Sequence, residues 1–185
     1  MSLPDFNHNH VLPPHLGDPT SEVDLSPYRC SILDLCHRFA TSQKRIKILR
    51  GLISFRKKMD SIGIVNGFQW IDGSFLENIE VLENRDPNDL DIVTFHGFLD
   101  THILHNITTS FPEFSSSIQS KTNFLLDHYP VDFTYHPIVT VEATRYWLQL
   151  FSHNRKGVWK GIVQLPLNTS SENELALDFL NGLGI

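Results

Sequence analysis

At 185 residues and 41% hydrophobic content, the chain can bury one sizeable core, and its length favours a single compact domain over two small ones. A net charge of −6 and a pI near 5.9 exclude the broad positive field of a nonspecific nucleic-acid binder, so any polyanion has to be met by a local patch. Cys30 and Cys36, the only cysteines, lie in a helical pattern at a spacing that suits neither a disulfide framework nor a zinc knuckle, and read as reduced thiols.

Residues 1–24 read as an extended lead. No basic stretch followed by an apolar run opens it, and no window reaches the roughly 18 apolar residues of a membrane span. The expectation is a cytoplasmic protein that does not engage a membrane. His8, His10 and His15 have no Cys or acidic partner at a ligand-like interval, so they read as part of a polar lead.

Residues 25–185 read as one domain, with a helical lead over 25–63, a core over 64–151, and a C-terminal arm and helix over 152–185. In "SPYRCSILDLCHRFA", Ser26 is the expected cap and Pro27 the first turn, while Ile32, Leu33, Leu35, Cys36 and Phe39 form an apolar side. A second helix follows in "TSQKRIKILRGLISFRKKMDSIG", capped by Thr41 or Ser42 and stopped by Gly63, with Ile46, Leu49, Ile53 and Met59 or Ile62 at helical intervals. It carries Lys44, Arg45, Lys47, Arg50, Arg56, Lys57 and Lys58, seven of the chain's 15 basic residues. A solvated face is the plainer reading, and a local phosphate or RNA contact surface the sharper one.

"GFQWI" has the content of a short buried strand, "SFLENIEVLE" that of one or two helical turns, and residues 84–88 that of a loop. "DLDIVTF" is the next strand, and "LDTHILHNITTSF" a helix capped by Asp100 or Thr101. "TNFLLDHY" and "VDFTY" read as two strands joined near Pro130, and "TVEATRYWLQLF" as a helix. "GVWKGIVQLPL" is a strand or extended arm, and "SENELALDFLNGLG" a closing helix with Ser171 and Glu174 as its capping box. Three or four central strands mixed with helices, without internal repeats, give an α+β domain.

Successive strand residues point to opposite faces, so Asp89 and Asp91 share one side while Leu90 and Ile92 take the other. Carboxylates held that close repel unless a cation lies between them, which makes the pair natural oxygen ligands for Mg²⁺ beside substrate phosphates. Asp132 in "PVDFTYHP" projects from another apolar strand. If that strand pairs beside the first, three carboxylates converge where an attacking hydroxyl can be activated. Upstream, Gly73 ends a strand and lets the backbone approach, while Ser74 and a helix amino terminus are placed to hold a phosphate. Asp72 and Asp86 read as turn chemistry. In the arm, Arg155, Lys156 and Lys160 flank Trp159. Lys160 is the candidate to neutralise a leaving pyrophosphate, and Trp159 reads as packed beneath a loop. The remaining histidines, His96, His102, His105, His128, His136 and His153, specify no zinc site and read as structural or exposed.

An apolar strand, Gly73-Ser74, a loop, Asp89-Leu90-Asp91-Ile92 and a later Asp132 resemble the DNA polymerase β-type nucleotidyltransferase superfamily. More narrowly, "VLPPHLGDPT", "RIKILRGL", "WIDGSF", "DPNDLDIV" and "YWLQLFSHNRKGVWKGIVQL" resemble a bacterial family of short nucleotidyltransferase-like proteins. The resemblance implies a small mixed sheet flanked by helices, with N-terminal helices and a C-terminal helix. It implies Asp89, Asp91 and Asp132 as catalytic ligands of two Mg²⁺ ions, replaceable by Mn²⁺, and Gly73 and Ser74 as triphosphate contacts, beside which Lys160 is the arm's own candidate for binding the nucleotide. The expected reaction moves a nucleoside monophosphate from an NTP such as ATP to a hydroxyl of an RNA or tRNA end, a protein side chain or a nucleotide. The implied setting is a toxin–antitoxin or phage-defence system with a partner protein. The alternative is a catalytically inactive nucleotide-binding regulatory or antitoxin-like subunit, and a third reading is an RNA-binding protein using the Lys44 to Lys58 face.

Overall fold

The computed structural model describes residues 3–184, so Met1 and Ser2 of the lead and Ile185 at the end of the C-terminal segment lie outside the described residues. The elements in chain order are β1 (Tyr28–Arg29), α1 (Ile32–Phe39), α2 (Gln43–Ile62), β2 (Gly67–Asp72), α3 (Ile79–Glu83), β3 (Leu90–His96), α4 (Thr101–Ser110), α5 (Ser117–Phe124), β4 (Leu126–Asp132), α6 (Pro137–Phe151), β5 (Val163–Pro166) and α7 (Ser170–Gly182). They form an α+β domain around one five-stranded mixed sheet of order β1-β5-β2-β3-β4. Strand β2 runs antiparallel to β3 and β5, whereas β3 and β4 are parallel, as are β1 and β5.

Helix α2 is built as its sequence suggests. The Ser42 hydroxyl accepts from Arg45 N, Gly63 closes the helix at φ 93°, and Ile46, Leu49, Leu52, Ile53 and Met59 are buried. They pack under the sheet face formed by Ile71, Leu90, Ile92 and Leu126. The opposite face carries Trp70, Val93, Phe95 and Val131, covered by Trp147 and Phe151 of α6. Each such side chain, once fully buried, contributes about 1.5–3 kcal/mol.

Several expectations are corrected. The first helix starts at Ile32, because Tyr28–Arg29 is drawn into the sheet against β5, and Ser31 with Asp34 supplies the capping box that Ser26 does not. "TNFLLDHY" and "VDFTY" are not two strands. Residues through Phe124 complete α5, and one strand runs from Leu126 through Pro130 to Asp132. Pro130 is tolerated because β4 is an edge strand. Helix α7 starts at Ser170 with Thr169 at its cap position and no side-chain cap, so Ser171 lies inside the helix.

The basic face of α2 is also corrected. Arg45 and Arg56 are buried, Lys58 pairs with Glu113, Lys57 pairs with Glu174 of α7, and Arg50 donates to Leu180 O. Much of the cluster therefore ties helices together, while Lys47 and Arg50 stay exposed. The lead packs closely too: Val11 and Leu12 are fully buried, Asn78 N donates to His10 O, and Gly161 N donates to Leu12 O.

A buried polar chain crosses the sheet beneath α2. Arg56 donates to Gln69 Oε1 (2.6 Å), Gln69 Nε2 to Thr94 Oγ1 (3.0 Å), and Thr94 Oγ1 lies 2.8 Å from His128 Nε2. The Thr94 hydroxyl thus accepts from Gln69 and is also the hydrogen-bond partner of the buried His128 ring. Burial is the main reason the His128 pKa falls to about 3. A folded pKa below the unfolded value means that the unfolded chain takes up the proton first. His128 therefore removes stability as pH falls from about 6.5 towards 3, with a slope of at most about 1.4 kcal/mol per pH unit. Denaturant melts across that window are expected to show a shallower acid limb for His128→Gln than for the parent protein.

Candidate active site

The ends of β2, β3 and β4 that meet at one edge of the sheet carry an acidic row. In the strand register Asp72 stands opposite Asp91, and Asp91 opposite Asp127. Directly opposed residues share a face, so the three carboxyls project together, and Asp89, two residues before Asp91, joins them on the same side. This face is the one covered by α6, whose C-terminal residues Leu150 and Phe151 wall a cleft of about 540 Å³. Gly73, Ser74, Glu77, Lys121 and Lys160 complete the lining with the four aspartates, and Arg85, Arg155 and Lys156 also contribute to it.

The turn after β2 is held from beneath. Gly73 has φ 87°, and a Cβ there would lie 2.7 Å from Asp91 Oδ2, so only glycine lets this backbone pass the carboxylate. The expected helix amino terminus is shorter than predicted: Ser74–Leu76 form one 3₁₀ turn, followed by the five residues of α3. Arg45, 2% exposed, reaches from α2 to fix this turn. Its guanidinium donates to Phe75 O (2.7 Å) and Glu77 O (2.7 Å) and forks onto Glu80 at 2.6 and 2.9 Å.

Lys160 is placed differently from its expected role. It is 2% exposed, and its ammonium lies 2.9 Å from Asp72 Oδ1, 3.1 Å from Glu77 Oε1 and 3.0 Å from Gly73 O. Its three donors are thus directed at the turn and leave no free head for a pyrophosphate. Burial opposes its charge, but Asp72 and Glu77 outweigh that and hold its pKa above the usual lysine value. Burial likewise pushes the Asp72 carboxyl up to about 7 against the pull of Lys160. It pushes Asp91 to about 6, with Asp89 and Asp127 adding repulsion.

Asp132 is corrected outright. It pairs with His96 at the far end of β3, five residues beyond Asp127 and about 16 Å along the strand. The alternation of the register puts it on the opposite face. It accepts from Thr134 N (2.8 Å) and Thr134 Oγ1 (2.6 Å), closing a turn. Asp127 occupies the position expected of Asp132. The acid within the apolar run "NFLLDHY" is the signal for Asp127, but a strand break at Pro130 puts the expected strand mouth one segment too late.

The donors suit a hard divalent cation. Those of Asp89, Asp91 and Asp127 are all carboxylate oxygens, whereas Asp72 Oδ1 is taken up by the Lys160 ammonium. Among the described residues, no three acidic, histidine or cysteine side chains already converge to ligand spacing. Instead Lys121, on α5, sets its ammonium 2.5 Å from Asp89 Oδ2 and 3.9 Å from Asp127 Oδ2. The bond to Asp89 chiefly raises the Lys121 pKa.

A protein-family model matches residues 4–166, a span that holds every residue lining the cleft. The chain belongs to the DUF6932 family. DUF6932 is described as a family of unknown function. No curated protein and no solved structure matches this DUF6932 chain. No helix among its described residues is long and apolar enough to cross a membrane.

Proposed function

We propose that the protein is a Mg²⁺-dependent nucleotidyltransferase that moves a nucleoside monophosphate from an NTP to a hydroxyl acceptor. The observation that carries this reading is the in-register row of Asp72, Asp91 and Asp127, with Asp89 beside it, facing a cleft next to the Gly73 turn. Asp89, Asp91 and Asp127 are the residues that would hold the cation, which when bound supplies charge neutralisation for the triphosphate. Gly73 presents backbone to the phosphates without a side chain in the way. Arg155, exposed in the cleft lining, would face the polyphosphate end of the nucleotide. Asp127, the more exposed of the Lys121 partners at 28%, accepts the proton of the incoming hydroxyl. The acceptor oxygen bonds to the α-phosphorus as the bond to the bridging oxygen breaks, and pyrophosphate leaves. RNA or tRNA ends, protein side chains and nucleotides all offer such a hydroxyl.

One observation favours a second reading, a nucleotide-binding regulatory subunit that works through a partner protein. Helix α6, whose C-terminal end walls the cleft, leaves Ile138 (68% exposed), Val141 (65%), Tyr146 and Leu150 open to solvent along its length, a surface of the kind that marks protein contacts. Incubation with labelled ATP, CTP, GTP and UTP separates the two. The transferase predicts a labelled product and pyrophosphate that vanish in Asp89→Ala/Asp91→Ala, and the regulatory subunit predicts binding without product.

A further inference from the structure

We propose that Lys121 holds the place of a divalent cation in the cation-free protein and turns to the nucleotide's phosphates when the cation enters. The inference rests on the cation-and-nucleotide reading above and assigns that site a built-in counter-ion. Lys121 bridges carboxylates from two chain segments, Asp89 before β3 and Asp127 on β4, at 2.5 and 3.9 Å. Six carboxyls, those of Asp72, Glu77, Glu83, Asp89, Asp91 and Asp127, line the cleft. Of the other lysines in the lining, Lys160 is 2% exposed and committed to the turn, and Lys156 faces Glu83. Lys121 is 52% exposed on a flexible stem, so it can leave without breaking the core.

A divalent cation at Asp89 would compete with the ammonium for the same carboxylate. Mg²⁺ takes carboxylate oxygens at about 2.0–2.1 Å, and two cations so close repel. The displaced ammonium then finds the triphosphate as the nearest anion with unmet charge. Arg85 and Lys156 at the rim already face Glu83, at 2.7 and 4.0 Å. Lys121 therefore opposes the cation alone and supports the cation with nucleotide, two effects of opposite sign that an ordinary surface lysine does not combine.

Mn²⁺ titrations followed by electron paramagnetic resonance, with and without a non-hydrolysable ATP analogue, test this. Lys121→Met is expected to bind Mn²⁺ alone on the order of tenfold more tightly than the parent. With Mn²⁺ saturating, it is expected to bind the analogue on the order of tenfold more weakly. Lys121→Arg should stay near the parent on both counts. Lys47→Met, on the exposed side of α2, carries the same change in net charge and should leave both affinities unchanged. If the parent binds Mn²⁺ in an Asp91-dependent way and Lys121→Met binds it no more tightly, the role of Lys121 is overturned while the site stands. If the parent binds no Mn²⁺, the site reading and this inference fall together.

Discussion

Asp127→Asn is expected to lower nucleotide transfer by about 100-fold or more, a loss of the size seen when one charged or hydrogen-bonding group is removed from a transition state. Asp132→Asn is expected to stay within about twofold of the parent, well inside the range that such catalytic groups exceed. The two residues sit on one strand, five positions apart, and the register decides between them. Asp127 stands opposite Asp91 on the face walled by α6, and Asp132 stands opposite His96 on the other face. Asn keeps the size of the side chain and one acceptor oxygen but removes the charge a cation would need. Initial rates with labelled NTP check this, and thermal melts of both variants confirm that each is folded. Equal losses in the two variants would mean that the strand register does not decide the chemistry.

Arg45→Met is expected to produce the largest loss of stability. The guanidinium makes four hydrogen bonds below the Gly73 turn, two to main-chain oxygens and two to Glu80. Methionine fills a similar volume and meets none of them, leaving carbonyls and a part-buried carboxylate without a partner. Breaking such a buried pair costs about 3–5 kcal/mol, which for a chain of this size lowers Tm by roughly 6–20 °C. Arg45→Lys should recover little, because an ammonium cannot reproduce the fork. Differential scanning calorimetry of the parent and both variants reads the effect directly. A Tm within 2 °C of the parent for Arg45→Met would deny Arg45 its role as the support of the turn.

Local signals carried most of the fold. The Ser42 cap and the Gly63 stop are short-range features, and α2 spans the residues between them. The same holds for Asp100, whose side chain caps α4 through Ile103 N. Strands β2 and β3 were legible from their apolar content, and the Asp89 and Asp91 pair from strand alternation. What stayed hidden depends on pairing. Nothing local tells that Leu125 adopts φ 61° to end α5 and start β4, and that single turn moves the strand mouth from Asp132 to Asp127. Tyr28–Arg29 joins β5, about 135 residues later, and that contact overrides the helical reading of Ser26 and Pro27. Lys160 and Arg45 looked like surface cations because composition does not reveal burial. Their partners, Glu77 and Glu80, lie far away in sequence and meet them only in the folded chain.

The convergence of Asp89, Asp91 and Asp127 around a cation beside nucleotide phosphates is tested most directly by anomalous diffraction from crystals grown with Mn²⁺ and a non-hydrolysable NTP analogue. The predicted result is an anomalous peak within bonding distance of oxygens from Asp89, Asp91 and Asp127, with the analogue's phosphates at the Gly73 turn and Lys121 turned away from Asp89. A peak at Asp132, or an analogue bound elsewhere while Lys121 still bridges Asp89 and Asp127, would contradict it.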